Sequence, residues 1–222
     1  MIKVHTIPMG MALAYLVESE AGLVLVDAGI PGYERSVLRL MSAIDRDDLR
    51  LIYITHAHLD HYGSAAALRR QTGAPVAIHH ADANSMAHGE TLLGTTRGRG
   101  KLMEIILPVV ERFMRPEPVE ADITLDDGET LSTCGLDALV LHTPGHTPGS
   151  SCLLVEDRYA FVGDLLSSTS RPRAQRFYAD DWSLIPESIA RLKRRDPERV
   201  FTGHGRRPIN RDELGRIEPA IR

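Results

Sequence analysis

A chain of 222 residues, 43% hydrophobic and 25% charged, has the length and composition of one globular domain with a sizeable core. Its net charge of -4 speaks against a nucleic-acid partner, which would draw on clustered Lys and Arg. No apolar run is long enough to span a bilayer, and two cysteines, Cys134 and Cys152, make no disulfide framework. The stretch Met1 to Ile7 has no signal-peptide hydrophobic region, so the cytoplasm is the expected compartment.

In chain order, Lys3 to Ile7, Ala12 to Glu18 and Gly22 to Asp27 read as strands. Pro31 opens a helix running to Ile44, with Val37, Leu38, Met41 and Ile44 on one face. Leu51 to Ile54 is a buried strand. A helix from Gly63 to Gln71 stops at Gly73 and Pro75, and Ala74 to His79 is the next strand. Residues 82–120 read as a helical insertion in the single domain 1–222. Within it Leu102, Ile105, Ile106, Val109, Val110 and Phe113 recur at helical spacing, with Pro108 expected to break or kink the helix. Met86, Met103 and Met114 fit ordinary core packing or an adaptable apolar surface. The insertion is expected to act as a lid. Arg97, Arg99 and Lys101, and Arg191 with Lys193, Arg194 and Arg195, read as solvated faces.

The second half opens with Ile123 to Leu125 and Glu129 to Ser132 around an Asp127-Gly128 turn. Strands follow at Ala138 to Leu141, Ser151 to Glu156 and Tyr159 to Gly163. A helix from Ser183 to Arg194 takes Ser183 as its N-cap, with Glu187 near the capping-box position. Strand Arg199 to Thr202 and a short helix complete the pattern. Taken alone, it gives a mixed α/β class.

The chemistry concentrates in Thr55 to His61, which packs His56, His58, Asp60 and His61 directly after a strand. Imidazole and carboxylate together suit zinc, iron or manganese. Such groups repel when protonated and lose hydration when crowded, and a bound cation removes both costs. His146, Asp164 and His204 each follow a strand and sit beside Gly or Pro, which allow close backbone approach. His142 and the His79-His80 pair also lie at strand ends but complete no ligand pattern.

The run HAHLDH, followed in order by His146, Asp164 and His204, resembles the metallo-β-lactamase-fold hydrolase superfamily, and Asp27 matches its early acidic motif. The resemblance implies an α+β fold, a four-layer αββα sandwich of two mixed sheets with helices outside. It also implies a dinuclear centre. His56, His58 and His146 would hold one metal, and Asp60, His61 and His204 the other. Asp164 and a water or hydroxide would bridge them. Two divalent ions about 3.5–4 Å apart lower the pKa of a shared water and stabilise an oxyanion. Zn is the expected metal, with Fe or Mn also compatible. Asp60 and Asp164 are the catalytic carboxylates, Asp60 orienting the nucleophile and helping to protonate the leaving group. Asp27 supports the histidine loop without a metal bond.

Within the superfamily, Asp164 argues against a true β-lactamase and His58 against the flavodiiron proteins. The motifs most resemble hydroxyacylglutathione hydrolase (glyoxalase II), but the tail after His204 is too short for that enzyme's helical domain. The quorum-quenching lactonases place a tyrosine after the bridging aspartate, where Leu165-Leu166-Ser167-Ser168 stands here; Tyr178 or Tyr62 is a spatial substitute. The expected function is therefore a dinuclear metal-dependent hydrolase of a small ester, thioester or lactone. A mononuclear iron persulfide dioxygenase is the alternative, and a phosphodiesterase or ribonuclease of the same fold ranks below it. The expected partner is a small molecule, with no nucleic acid and no membrane; a homodimer is left open. Phe177, Tyr178 and Trp182 are candidates for lining the substrate cleft.

Overall fold

The strands Gly22–Val26, Leu49–Ile54, Val76–His79 and Ser151–Val155 are buried along nearly their whole length, and their apolar composition follows from burial on two sides. The computed structural model describes residues 2–131 and 135–218. Ser132, Cys134 and the Met103 side chain lie outside the described set. The first half supplies β1 (Lys3–Met9), β2 (Ala12–Ser19) and β3 (Gly22–Val26), then α1 (Glu34–Ala43) and β4 (Leu49–Ile54). It continues through a single turn, α2 (Leu59–Tyr62), to α3 (Ala65–Thr72), β5 (Val76–His79) and α4 (His80–His88). β6 (Thr95–Thr96), α5 (Gly100–Met114) and β7 (Ile123–Leu125) complete it. The first sheet has the order β1-β2-β3-β4-β5-β7, antiparallel at its first strands and parallel from β3 onward.

The second half supplies β8 (Ala138–His142), β9 (Ser151–Val155), β10 (Tyr159–Phe161), β11 (Leu166–Ser168), β12 (Arg173–Ala174) and β13 (Tyr178–Ala179). It ends with α6 (Ile185–Arg194), β14 (Arg199–Phe201), β15 (His204–Gly205), β16 (Ile209–Asn210) and α7 (Arg211–Arg216). The second sheet has the order β16-β14-β10-β9-β8. Successive residues on one strand face different cores, as period-two side chains must. In β3, Val24 and Val26 face the second sheet, while Leu23 and Leu25 face the helical side. In β9, Leu153 and Val155 join the core between the sheets, and Cys152 and Leu154 pack under α6. Three apolar layers therefore separate four structural layers, which is the αββα sandwich.

The helices cover the outer faces through their apolar stripes. α1 buries Val37 and Met41 against the first sheet. α6 buries Ile185, Ile189 and Leu192, at i, i+4 and i+7, against the second. Its start differs from the expected capping box: Leu184 occupies the cap, and Ser183 bonds instead to Asp181, Oγ to Oδ1 at 2.7 Å. α5 runs unbroken through Pro108. The carbonyl that loses its partner belongs to Glu104, an exposed residue, where a missing helical bond costs less than it would in the core. Thr130 makes one isolated bridge to Leu139 where a strand was expected. The 82–120 segment opens inside α4, whose Met86 is fully buried in the outer core, and Val119 returns to that core near its end.

Candidate metal centre

The loops at one edge of the sandwich carry all seven expected ligands, on the side where the parallel strands of the first sheet end. After β4 the chain passes Thr55 and His56, reaches His58, and turns at once into α2; His61 N–H and Tyr62 N–H both bond to the His58 carbonyl, at 2.8 and 3.1 Å. His58 therefore leaves extended backbone and His56 a tight bend, while Asp60 and His61 leave a helical turn. The second sheet supplies His146 from the loop between β8 and β9 and Asp164 from the turn after β10, and His204 comes from β15, in the separate three-stranded sheet β12-β11-β15.

Each imidazole has its outer nitrogen fixed by a neighbour. His58 Nε2 lies 2.9 Å from the Leu92 carbonyl, and His204 Nδ1 lies 2.9 Å from that of Met11. His146 Nδ1 lies 3.2 Å from the Tyr178 carbonyl, nearer than the Gln175 amide nitrogen at 3.4 Å. His61 Nδ1 lies 2.8 Å from Asp27 Oδ2. Carbonyls and carboxylates only accept, so these ring nitrogens carry the protons. Thr55 Oγ1 gives its one hydrogen to Asp27, so at 3.0 Å it accepts from His56 Nδ1. All five rings thus turn inward the nitrogen that the outer partner leaves free, the orientation a metal requires.

Those inward atoms form two sets. His146 Nε2 lies 3.2 Å from His56 Nε2 and 3.1 Å from His58 Nδ1, with no hydrogen on any of the three. His204 Nε2 lies 3.3 Å from Asp60 Oδ2, and His61 Nε2 lies 3.9 Å from it. Asp164 stands between the sets, with Oδ2 at 3.3 Å from His204 and 3.7 Å from His146, and Oδ1 at 3.4 Å from His61. Among the described residues, the buried side-chain atoms without a hydrogen-bond partner are His61 Nε2 and Asp164 Oδ1. Such orphans are costly unless a cation occupies the space between them. The donor set fits divalent metal ions.

Burial, followed by the neighbouring imidazoles, holds His56 well below its ordinary pKa and brings His146 down to about 3. Both therefore keep their lone pairs at neutral pH. Burial also opposes charge on His61, yet Asp27, Asp60 and Asp164 outweigh it and lift that ring to about 10. Asp164 and Asp60 raise His204 against burial in the same way. Without a cation, protons must balance these carboxylates.

Asp27, with φ at 61°, bonds through Oδ1 to Thr55 N–H at 2.8 Å and through Oδ2 to His61, so one carboxylate spans both ends of the histidine run. Gly163 and Gly203 leave the room this closeness needs. A Cβ on Gly163 would lie 2.5 Å from Thr55 Oγ1, and one on Gly203 would lie 2.6 Å from Asp164 Oδ1. Sequence reasoning missed Asp82. This buried carboxylate accepts from Ala57 N–H (2.9 Å) and Thr147 Oγ1 (2.7 Å) at Oδ2, and from Gly149 N–H (2.6 Å) at Oδ1. It ties the His56 loop to the His146 loop.

A cavity of about 360 Å³ opens onto Asp164 and His204, walled by Leu166, Phe177, Tyr178 and the start of α5 at Gly100. The Tyr178 ring lies 5.2 Å from His146 and 5.9 Å from His58. Tyr62 is fully buried and donates to the Glu90 carbonyl, away from this cavity. Trp182 bonds to Thr95 and lies under Arg97, bracing the β6–β13 pair. His79 stacks on His142 with centroids 4.0 Å apart. Asp126, 2.6 Å from His80, comes within ligand reach of His79 and His80, but the His79 Nδ1 lone pair is already taken by Ala81 N–H.

Residues 7–204 match the family described as the metallo-beta-lactamase superfamily. The chain belongs to that superfamily. Among curated relatives, the acyl-coenzyme A thioesterase MBLAC2 of Bos taurus is 32% identical over 60% of this chain and 48% of its own length. The hydroxyacylglutathione hydrolase GloC of Haemophilus influenzae is 29% identical over 85% and 82%. The chain spans about half the length of the first of these curated relatives. Of solved superfamily structures, the BLEG-1 B3 metallo-beta-lactamase is similar with a TM-score of 0.73 at 24% identity, over 95% of both chains. Among the described residues no helix is long and apolar enough to cross a membrane.

Proposed function

We propose that the protein is a two-metal hydrolase of a small ester, thioester or lactone, with a thioester as the bond to test first. The observation that carries this reading is the convergence of five inward-facing imidazole nitrogens around the Asp164 carboxylate, each ring with its outer N–H fixed. The names of two relatives, an acyl-coenzyme A thioesterase and a hydroxyacylglutathione hydrolase, both describe thioester cleavage and support the choice of bond. His56, His58 and His146 would hold one ion and Asp60, His61 and His204 the other, with Asp164 between them. When bound, two such ions bring a shared water towards neutral pKa and draw charge from a carbonyl oxygen.

The chain's own groups supply the rest. Burial works against ionising Asp60, but His61 and His204 outweigh it and hold its carboxyl below the usual range. Asp60 thus stays a carboxylate, able to orient an attacking water and pass a proton to the leaving thiol. Burial and the charges of Asp164 and Asp60 keep the Tyr178 hydroxyl protonated, as a donor to the developing oxyanion must be.

Elemental analysis of protein purified without added metal tests the proposal, together with Asp164→Ala. Two zinc or manganese ions per chain are expected, with at least one ion and most thioesterase activity lost in the variant. Full activity in Asp164→Ala, or a single iron per chain with oxygen uptake on a persulfide, would overturn it.

A further inference from the structure

Some surface arginines close on carboxylates, as Arg158 does on Glu198, Arg191 on Asp127 and Arg207 on Glu213, while others, such as Arg39 and Arg115, reach only carbonyl or hydroxyl oxygens. The cavity beside the candidate metal centre gathers three without a carboxylate partner. Arg99, Arg173 and Arg176 all line it together with Asp164 and His204, and among the described residues none of the three pairs with a carboxylate. Arg173 reaches only hydroxyls, Ser170 Oγ at 2.6 Å and Thr169 Oγ1 at 3.3 Å. Arg176 lies over the Phe177 ring, 5.1 Å from its centre. Burial first, and then the charge on Arg176, hold the Arg173 guanidinium below its usual pKa, so the pair stands at a cost that an anion would relieve. A chain with a net charge of -4 does not gather three unpaired guanidinium groups at one cavity through overall basicity. Arg97 to Lys101 read in sequence as a solvated face, but the start of α5 carries Arg99 to the cavity wall.

The strand register separates the arginine from the candidate ligand. Ser167 of β11 pairs with Arg173 of β12 on one side and with His204 of β15 on the other, so two strand spacings, about 10 Å, part the Arg173 and His204 backbones. The Arg173 guanidinium turns to Ser170 and Thr169 between β11 and β12, not to a candidate metal ligand. An anion held there belongs to a different part of the molecule from the reacting group.

We propose that Arg99, Arg173 and Arg176 form a subsite for a phosphate or carboxylate carried by the substrate away from its scissile bond. Guanidinium forks match both anions and bind them through charge-assisted hydrogen bonds. The inference rests on the hydrolase reading for its scissile bond, and its test needs no turnover. Three uncleavable thioethers with one ethyl group are titrated calorimetrically into the metal-bearing protein. S-ethyl coenzyme A carries phosphates, S-ethyl glutathione carries carboxylates, and S-ethyl N-acetylcysteamine carries no charge.

At least one anionic thioether should bind on the order of 10- to 100-fold more tightly than the neutral one. The tighter of the two identifies phosphate or carboxylate as the recognised group. Arg173→Gln/Arg176→Gln should abolish the difference and leave the neutral thioether unaffected, and Arg99→Gln, at the exposed helix start, should reduce it. Equal affinity for all three, equal losses in the variants, or no binding of either anionic thioether overturns the subsite. Failure of the hydrolase reading would appear separately, as absent cleavage of the corresponding thioesters.

Discussion

Asp82 shows what a single residue can decide and a sequence can hide. Its carboxylate accepts from Ala57, Thr147 and Gly149, partners 25, 65 and 67 positions away. Nothing around His79-His80-Ala81-Asp82 signals this, because the bonds exist only after both sheets have folded. The HAHLDH run was legible for the opposite reason: its four ligands are neighbours in the chain. Asp82→Asn presents an amide where three donors need acceptors, so at least one buried group loses its partner. The expected cost is about 2–3 kcal/mol, seen as a drop in Tm of roughly 5–10 °C. Because the bonds hold the His56 and His146 loops in register, metal affinity should also fall about 10- to 100-fold in a competition titration with a chelator. Loss of stability with unchanged metal affinity would restrict Asp82 to a role in folding.

Whole elements were read well where burial writes a long pattern. The central strands β3, β4, β5 and β9 are largely apolar runs because each faces two cores, and α1 and α6 repeat at 3.6 because each faces one. β12, β13 and β15 have two residues each, too few for any period, and they build part of the wall of the cavity. α5 illustrates a third case, a pattern read correctly with no core to match it. Ile105, Val109 and Phe113 recur at helical spacing yet are exposed. We expect this helix to cover the cavity as a lid. Thr95–Thr96 pairs with Tyr178–Ala179, and Gly100 packs on Phe177, so the segment before the helix belongs to the site wall and must be kept. Replacing residues 102–114 with a flexible linker should leave metal content intact while changing the preference between long and short acyl groups on the order of tenfold. Unfolding or metal loss in that variant would count against a lid.

The whole molecule meets at the candidate centre, since the first sheet delivers Asp27 and the HAHLDH run, the second delivers His146 and Asp164, and β15 in the small three-stranded sheet delivers His204. A cation held there clamps the two halves of the sandwich, so metal binding and folding are linked. Protonation shows the linkage. His61, near 6.5 when unfolded and lifted to about 10 by Asp27, Asp60 and Asp164 against burial, keeps a proton that the unfolded chain releases. In the metal-free protein its contribution is full below pH 6.5 and is lost as pH rises towards 10. His146, brought down to about 3 by burial and His58, refuses a proton that the unfolded chain accepts. Its contribution is full above pH 6.5 and is lost as pH falls towards 3. Metal-free protein should therefore be most stable near pH 6.5, with urea midpoints declining on both sides. A cation takes the place of the inward proton on His61, so loading should raise the midpoint and flatten the alkaline arm. A metal-free midpoint that stays constant from pH 6.5 to 9 would show that the inward nitrogen of His61 does not hold that proton.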